Sequence, residues 1–254
     1  LTDSQTLFVG HSVIRLDTVH STNTYATHQL AISPLPEGTA FAAAEQTQGR
    51  GYSGNEWKSE KGKNLLLSVV MYPVFLSPRQ HFFLNQVASL AIAETLQAYL
   101  PVKDVKIKWP NDVFIGDKKV AGILIENSVK GNMIQHAIIG MGINVNQKEF
   151  DPTLKQATSL IKEIRREVSL DDLMKELFVQ LEKRYFQLKQ DKVKTLVKDY
   201  MKRLFRVDEP STFSSNGKNF RGKIEGITAN GKLVIEHGGA HEVYGFKEVE
   251  FIFD

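Results

Sequence analysis

The segment Lys108-Trp109-Pro110-Asn111-Asp112, followed by Lys119-Val120-Ala121-Gly122-Ile123-Leu124-Ile125-Glu126, sets polar groups inside strand-like apolar runs. A buried polar group without a partner is costly, so groups placed this way normally have a ligand or a neighbour. Trp109 offers a flat apolar wall, Asn111 both donors and acceptors, Asp112 a carboxylate for a metal ion or a turn, and Lys119 a cation on the next strand. Such a set suits a nucleotide or an activated acid. Taken singly, each part has a plainer reading: Asn-Asp after proline is a common turn, Trp109 fits a core, and Lys119 fits a solvated hairpin. Two further segments shift the balance: Ser21-Thr22-Asn23, and the run from Gln46 through Gly49-Arg50-Gly51-Tyr52-Ser53-Gly54-Asn55-Glu56 to Trp57.

These residues need elements to carry them. Residues 13–19 alternate apolar and polar as a strand does, and Ser21 stands where a helix N-cap belongs, with a short helix to about Leu30. Pro34 and Pro36 end it; residues 39–45 then read as a buried strand of small side chains. The stretch from Gln48 to Lys63 holds Gly49, Gly51, Gly54 and Gly62 among polar residues. It joins two strong strand signals, since residues 64–72 are nearly continuous Leu, Val and Met, and a loop this long is uncommon unless functional or disordered. It reads as a mobile loop that closes over a ligand, with Arg50 lacking a partner until an anion arrives.

Ser77-Pro78 starts a largely amphipathic helix that runs to Pro101. Val105 to Trp109, Val113 to Gly122 with a turn near Gly116-Asp117, and Met133 to Val145 form a mainly antiparallel meander, and Gly140-Met141-Gly142-Ile143-Asn144 gives backbone access beside an amide. Ser169 opens a helix with a core stripe from Leu170 to Leu188; a second helix follows from Val193 to Leu204, its Lys and Arg on a solvated face. From Arg206 the pattern is short strands with turns at Asn216-Gly217, Asn230-Gly231 and Gly238-Gly239. The fold class is α+β: a mixed, largely antiparallel sheet packed with helices over residues 1–205, and a small β-barrel-like unit, 206–254, too short to stand alone and so docked on the first.

Composition excludes several functions. With 32 basic and 29 acidic residues in 254 the formal charge is only +3, so no field for a large polyanion is expected. Cysteine is absent, which removes disulfides, thiolate catalysis and cysteine-ligated zinc. The seven histidines are scattered, with neither HExxH nor a P-loop nor a GxSxG elbow. No signal-like start or long apolar run occurs, which points to a cytoplasmic protein without membrane association.

Together the segments resemble biotin protein ligase, the biotin–[acetyl-CoA-carboxylase] ligase that activates biotin with ATP and transfers it to a lysine of a biotin carboxyl carrier protein domain. The likeness covers essentially the whole chain: a Ser-Thr-Asn helix start, a GRG loop ending in tryptophan, KWPND, a lysine followed by AGIL, a GxGxN strand, helices and a small domain, in that order. It implies a class II synthetase-like catalytic domain with an SH3-like barrel. The resemblance implies that Ser21, Thr22, Gln46, Gly49, Arg50, Lys119 and Gly122 bind biotin. It further implies that Arg50, Trp57, Asn111, Asp112, Lys119 and Asn144 lie around ATP, and that Lys119, Arg50 and Asp112 carry catalysis, Asp112 through Mg2+. The residue chemistry agrees, because hydroxyls and an amide satisfy a ureido group and a guanidinium pairs with oxyanions. A homodimer through the central strands is also implied.

The departures carry expectations of their own. Many members read GRGRRGR before the tryptophan, whereas Tyr52, Ser53 and Asn55 here bring no positive charge to the phosphates. The adenylate should therefore be held more loosely, and Tyr52→Arg should slow its escape. Nothing before Leu1 reads as a helix-turn-helix, so the DNA-binding role of longer members is not expected. The alternatives are a lipoate ligase, which shares the acyl-adenylate logic but lacks the GRG loop and KWPND together, and a biotin-binding module without catalysis.

Overall fold

A computed structural model describes residues 5–253 of the chain; residues 1–4 and 254, at the ends of the two ranges proposed above, lie outside it. The first half runs β1 (Val13–Val19), α1 (Thr22–Ile32), β2 (Ala40–Gln46), β3 (Leu65–Met71), α2 (Phe82–Tyr99), β4 (Val105–Lys108), β5 (Asp112–Ile115), β6 (Lys118–Lys130) and β7 (Met133–Ile143). There follow α3 (Leu160–Ile164), α4 (Leu170–Lys189), α5 (Val193–Arg203), β8 (Pro210–Ser215), β9 (Lys218–Ile227), β10 (Leu233–His237), β11 (Ala240–Tyr244) and β12 (Glu250–Phe251). Strands β1 to β7 form one sheet in the order β1-β2-β3-β7-β6-β5-β4. Only β1 and β2 are parallel, so the expected mixed and largely antiparallel sheet is what forms.

Alternation along a strand sends its side chains to opposite faces, and β3 shows the division of labour. Leu65, Leu67, Val69 and Met71 enter the main core, which also holds the buried residues of α2 and α4. Val70 joins a small second cluster with Ala26, Phe41 and Ile138, where α1 covers part of the other face. A run apolar on both sides, as residues 65–71 are, belongs to a strand covered on both faces. The rest of that second face lies open beyond the N-terminus of α1 and holds the site.

Helix α2 departs from the expected amphipathic pattern. Its residues are buried almost continuously from Phe82 to Leu96, because it is packed between the sheet on one side and α4 and α5 on the other. The apolar stripe of α4 is core as read, with Leu173, Met174, Leu177, Leu181, Tyr185 and Leu188 buried. One basic residue of α4 is not solvated: Arg184 is buried and reaches Glu94 on α2 and Asp199 on α5.

Strands β8 to β12 form the second sheet, in the order β11-β10-β9-β8-β12 and antiparallel throughout. Asn216 and Gly217 both take positive φ, 50° and 74°, the geometry that makes Asn-Gly a hairpin signal. This unit docks on the larger sheet through aromatic side chains, as its small size demands. Trp109 is 2% exposed, donates its indole N–H to the Gly231 carbonyl at 2.8 Å, and packs against Phe246 with ring centroids 5.3 Å apart. Trp109 is thus a seal between the two sheets and not a wall for a ligand.

Candidate active site

Cross-strand register builds the floor of the site. Ser68, Gly140 and Leu124 pair across β3, β7 and β6, and in the next row Leu66, Gly142, Gly122 and Asp112 pair across β3, β7, β6 and β5. Directly paired residues share a face, so Ser68 and Gly140 in one row and Gly142, Gly122 and Asp112 in the next are presented side by side, with a leucine ending each row. At one end of the floor the N-terminus of α1 brings Ser21, Thr22 and Asn23, all buried. At the other, Asp112 meets Lys119, whose Nζ lies 2.7 Å from Asp112 Oδ1. That contact is one of charge, since Oδ1 is buried without a well-aligned hydrogen bond.

Two cavities open on this floor and meet at Trp57 and Lys119, which line both. The first, about 440 Å³ and partly open to solvent, runs from Ser21, Thr22 and Gln46 past Arg50 and Tyr52 to Lys119. Its polar end is organised internally: the Thr22 amide and hydroxyl both donate to Gln46 Oε1, at 2.7 and 3.0 Å. Ser68 Oγ lies 2.7 Å from both Thr22 Oγ1 and Asn23 Oδ1. Ser21 occupies the N-cap position of α1 yet makes no side-chain capping bond, which leaves its hydroxyl to the cavity. Hydroxyls and an amide converging at one buried end suit a small planar group rich in both donors and acceptors.

The stretch from Gly49 to Trp57 folds back on itself as a small hairpin. Trp57 donates its backbone N–H to Gly49 at 2.8 Å, Gly51 to Asn55 at 2.7 Å, and a turn of 3-10 helix spans Tyr52–Gly54. The side chain of Ser53 lies outside what is described. Gly49 is buried at the hairpin base, where a Cβ would run into the Trp57 carbonyl, so the close approach of the two backbones requires a glycine there. Arg50 is not unpaired, as the sequence suggests: its Nη2 donates to Glu126 at 2.8 and 2.7 Å, and Asn23 Nδ2 donates to the same carboxylate at 2.8 Å. Glu126 stands on the strand that carries Lys119, so the residue that closes the AGILIE run neutralises the loop cation.

Trp57 lies over the glycine floor. A Cβ at Gly142 would sit 2.5 Å from the Trp57 ring and one at Gly122 3.0 Å from it, so these glycines are what lets the indole lie flat against the sheet. Its buried Nε1 has no hydrogen-bond partner among the described residues, and the Lys119 ammonium stands 5.6 Å from the ring centroid. Gly142→Ala should therefore displace Trp57 while leaving the fold intact, because the loop gives way more easily than the sheet. Affinity for the ligand of this cavity, which the sequence resemblance implies is biotin, should fall about tenfold or more when measured calorimetrically, with the melting temperature nearly unchanged. Wild-type affinity in that variant would mean that Trp57 takes no part in the site.

The second cavity, about 1120 Å³ with its opening to solvent, is lined by Lys58, Lys108, Asp112, Lys119 and Asn144 and by residues of the 150–157 segment. That segment is anchored beside Lys119, whose backbone N–H donates to Gln156 at 2.6 Å and whose carbonyl accepts from Thr158 at 2.9 Å. Burial holds the Lys108 ammonium below the usual lysine range, with Asp112 opposing the shift. Lys108 also lies 4.8 Å from the Phe251 ring centroid of the second sheet. Four lysines, Lys58, Lys108, Lys119 and Lys155, against the two carboxylates Glu56 and Asp112 leave this cavity cationic, which suits a polyphosphate.

A model of the biotin/lipoate A/B protein ligase family matches residues 16–144. A biotin–[acetyl-CoA-carboxylase] ligase of Paracoccus denitrificans is 30% identical over 239 residues, 91% of this chain and 97% of that protein. The bifunctional ligase/repressor BirA of Bacillus subtilis is 30% identical over 250 residues, 94% of this chain and 74% of that protein. The chain belongs to the biotin/lipoate A/B protein ligase family. The bifunctional ligase/repressor BirA of Bacillus spizizenii is 34% identical over 187 residues, a match that spans 56% of its length. Among solved structures, the biotin protein ligase from Aquifex aeolicus in complex with biotin and ATP superposes with a TM-score of 0.80 at 25% identity, covering 96% of this chain and 100% of that one.

Against this family background, the fold brings nearly all the sequence-derived site residues together. Ser21, Thr22, Gln46, Arg50 and Gly122 line the first cavity, Asp112 and Asn144 the second, and Trp57 and Lys119 both. Asn111 lines the first cavity and not the second, its amide donating to the Ile123 carbonyl at 2.8 Å. Asn144 is held by Thr158 at 3.0 Å. Sequence reasoning passed over Ser68 and Glu126. A lone serine in the run Leu65-Leu66-Leu67-Ser68-Val69-Val70-Met71, wholly buried, is the signal that would have found the first. Among the described residues no three His, Cys, Asp or Glu side chains form a metal cluster, and no helix is long and apolar enough to cross a membrane.

Proposed function

We propose that the chain is an ATP-dependent biotin ligase that forms biotinyl-5′-AMP and transfers biotin to a lysine of a carboxylase carrier domain. The observation that carries this reading is the sharing of Lys119 by two cavities. One ends in donors and acceptors suited to a ureido ring, and the other is cationic round Asp112. The biotin ring binds among Ser21, Thr22 and Gln46, and its carboxylate reaches Lys119. A carboxylate oxygen attacks the α-phosphorus of ATP from the second cavity; the bond to the bridging oxygen breaks and pyrophosphate leaves. Lys119 offsets the charge carried by the α-phosphoryl oxygens, and positioning supplies the rest, since no protein nucleophile is needed. The acceptor amine then attacks the biotinyl carbonyl, loses a proton and releases AMP.

Mg2+ fits as an ion that arrives on the nucleotide: Asp112 brings a carboxylate, paired with Lys119 and without a well-aligned hydrogen bond at its buried oxygen, to the cationic cavity, and such ions are commonly held by one or two carboxylates plus substrate phosphates. The ion would supply further charge neutralisation at the phosphates. A catalytic unit over 1–205 and a β unit over 206–254 are supported by two sheets that share no strand. A lipoate ligase would use the same logic, but biotin ligases covering nine-tenths of the chain favour biotin. The test is to incubate the protein with ATP, magnesium and either acid, and to follow pyrophosphate and the acyl-adenylate mass. Biotin should support both; pyrophosphate with lipoate alone overturns the reading.

A further inference from the structure

The Gly49-to-Trp57 hairpin, whose last residue Trp57 already lies on the glycine floor, is tied down at two further points, only one of them electrostatic. Arg50 pairs with Glu126 on the sheet. Two residues on, the Tyr52 ring meets Phe246 edge to face, with centroids 5.6 Å apart and planes at 78°. Phe246 follows β11 in the second sheet and continues inward, 5.3 Å from the Trp109 centroid and 6.1 Å from that of Phe82. Trp109 in turn is fixed by its hydrogen bond to Gly231. A chain of rings therefore links the hairpin tip to the junction of the two sheets. Among the described residues the Tyr52 hydroxyl has no hydrogen-bond partner, so the ring itself makes the attachment. Tyr52 also lines the first cavity beside Arg50, Trp57 and Lys119. Read from the sequence, Tyr52 is a missing cation; in the fold it is an anchor.

We propose that Tyr52 and Phe246 are positioning residues whose ring contact holds the hairpin over the first cavity and so retains the acyl-adenylate between its formation and its transfer. This rests on the adenylating function proposed above. It gives the second sheet a part in the reaction: the sheet supplies the fixed point against which the hairpin closes. Edge-to-face pairs contribute beyond the area they bury, and a hairpin held at both Arg50 and Tyr52 has fewer open conformations than one held by the ion pair alone. The Arg50–Glu126 pair is largely exposed, with side chains 46% and 36% accessible, and such pairs are weak. The ring contact therefore adds a hold on the hairpin tip that does not depend on the exposed ion pair.

The test is to load the protein with biotin and magnesium ATP, isolate the adenylate complex, dilute it rapidly and follow free biotinyl-adenylate. Tyr52→Ala and Phe246→Leu should each speed its release about two- to tenfold, whereas Tyr52→Phe keeps the wild-type rate. The double variant Tyr52→Ala with Phe246→Leu should be no faster than the quicker single, because both remove one contact. Tyr52→Arg changes ring and charge together and does not separate them. Cleavage of the hairpin by a protease without ligand should rise in the same variants, a readout that stands even if wild-type protein makes no adenylate, the result that would sink the function itself. Tyr52 is on the hairpin and not in the core, so the Ala and Phe pair decides the matter if Phe246→Leu lowers the melting temperature. Wild-type release and cleavage in Tyr52→Ala, or single effects that multiply in the double variant, would overturn the proposal.

Discussion

Lys119→Ala should slow adenylate formation by at least about a hundredfold, the scale seen when a single donor to a developing oxyanion is removed. Lys119 borders both cavities, and Asp112 is the carboxylate at its ammonium. Removing the cation takes away the ion-pair partner of Asp112 at the point where biotin carboxylate and phosphate must meet, and leaves only the Lys108 charge to offset it. Repulsion is then added to the lost attraction. A cation bonded to an anionic partner contributes on the order of 1.5–3 kcal/mol in a ground state; charge that builds during reaction increases the effect on turnover. Biotin affinity should fall less, because the ring end of the cavity is untouched. Pyrophosphate release at saturating ATP and biotin, beside a calorimetric titration with biotin, separates the two. Adenylate made at the wild-type rate by the variant would remove Lys119 from the chemistry.

The largest effect on stability should come from Arg184→Met. Arg184 is the one basic side chain of α4 drawn into the interior, its side chain 8% exposed. Its Nε donates to Glu94 at 3.1 Å and its Nη1 to Asp199 and Gln187 at 2.7 Å each, with Nη2 also on Glu94. It thus ties α2, α4 and α5 together. Methionine keeps much of the volume but leaves Glu94 and Asp199 facing each other. Breaking a buried pair typically costs 3–5 kcal/mol; because these carboxylates keep some exposure, a loss of about 3 kcal/mol is expected. Urea unfolding measures it. Adding Glu94→Gln to Arg184→Met should recover part of the loss, as the stranded charge is then removed. A shift below about 1 kcal/mol, the range of surface pairs, would mean that water already screens this network.

What could be read from the sequence follows from the range over which each signal acts. Strand and helix periods, Asn-Gly turns and the core stripe of α4 are properties of a few neighbouring residues, so they survive without knowledge of the fold. The site motifs were legible for a related reason. Lys119, Asp112 and Gly122 are brought together by a hairpin between β5 and β6, and Gly142 faces Gly122 on the adjacent strand. Burial was harder. Helix α2 reads as amphipathic because Gln86, Ser89 and Thr95 break its apolar run, yet all three are buried when helices close on it from outside.

Partners far apart in the chain were decided only by the tertiary structure. The pairing of Arg50 with Glu126 depends on the hairpin folding back over β6, and that of Tyr52 with Phe246 on where the second sheet docks. Ser68 becomes part of the polar end of the site only because β3 runs beneath the start of α1. Trp109, which by type and context suits a ligand wall, is claimed instead by Gly231 and Phe246. The types and spacings along the chain determined which chemistry this protein is equipped for, since each motif acts through its own residues. Which of those residues face the cavities and which are taken up by one another was set by sheet register and domain docking, through contacts that no local pattern encodes.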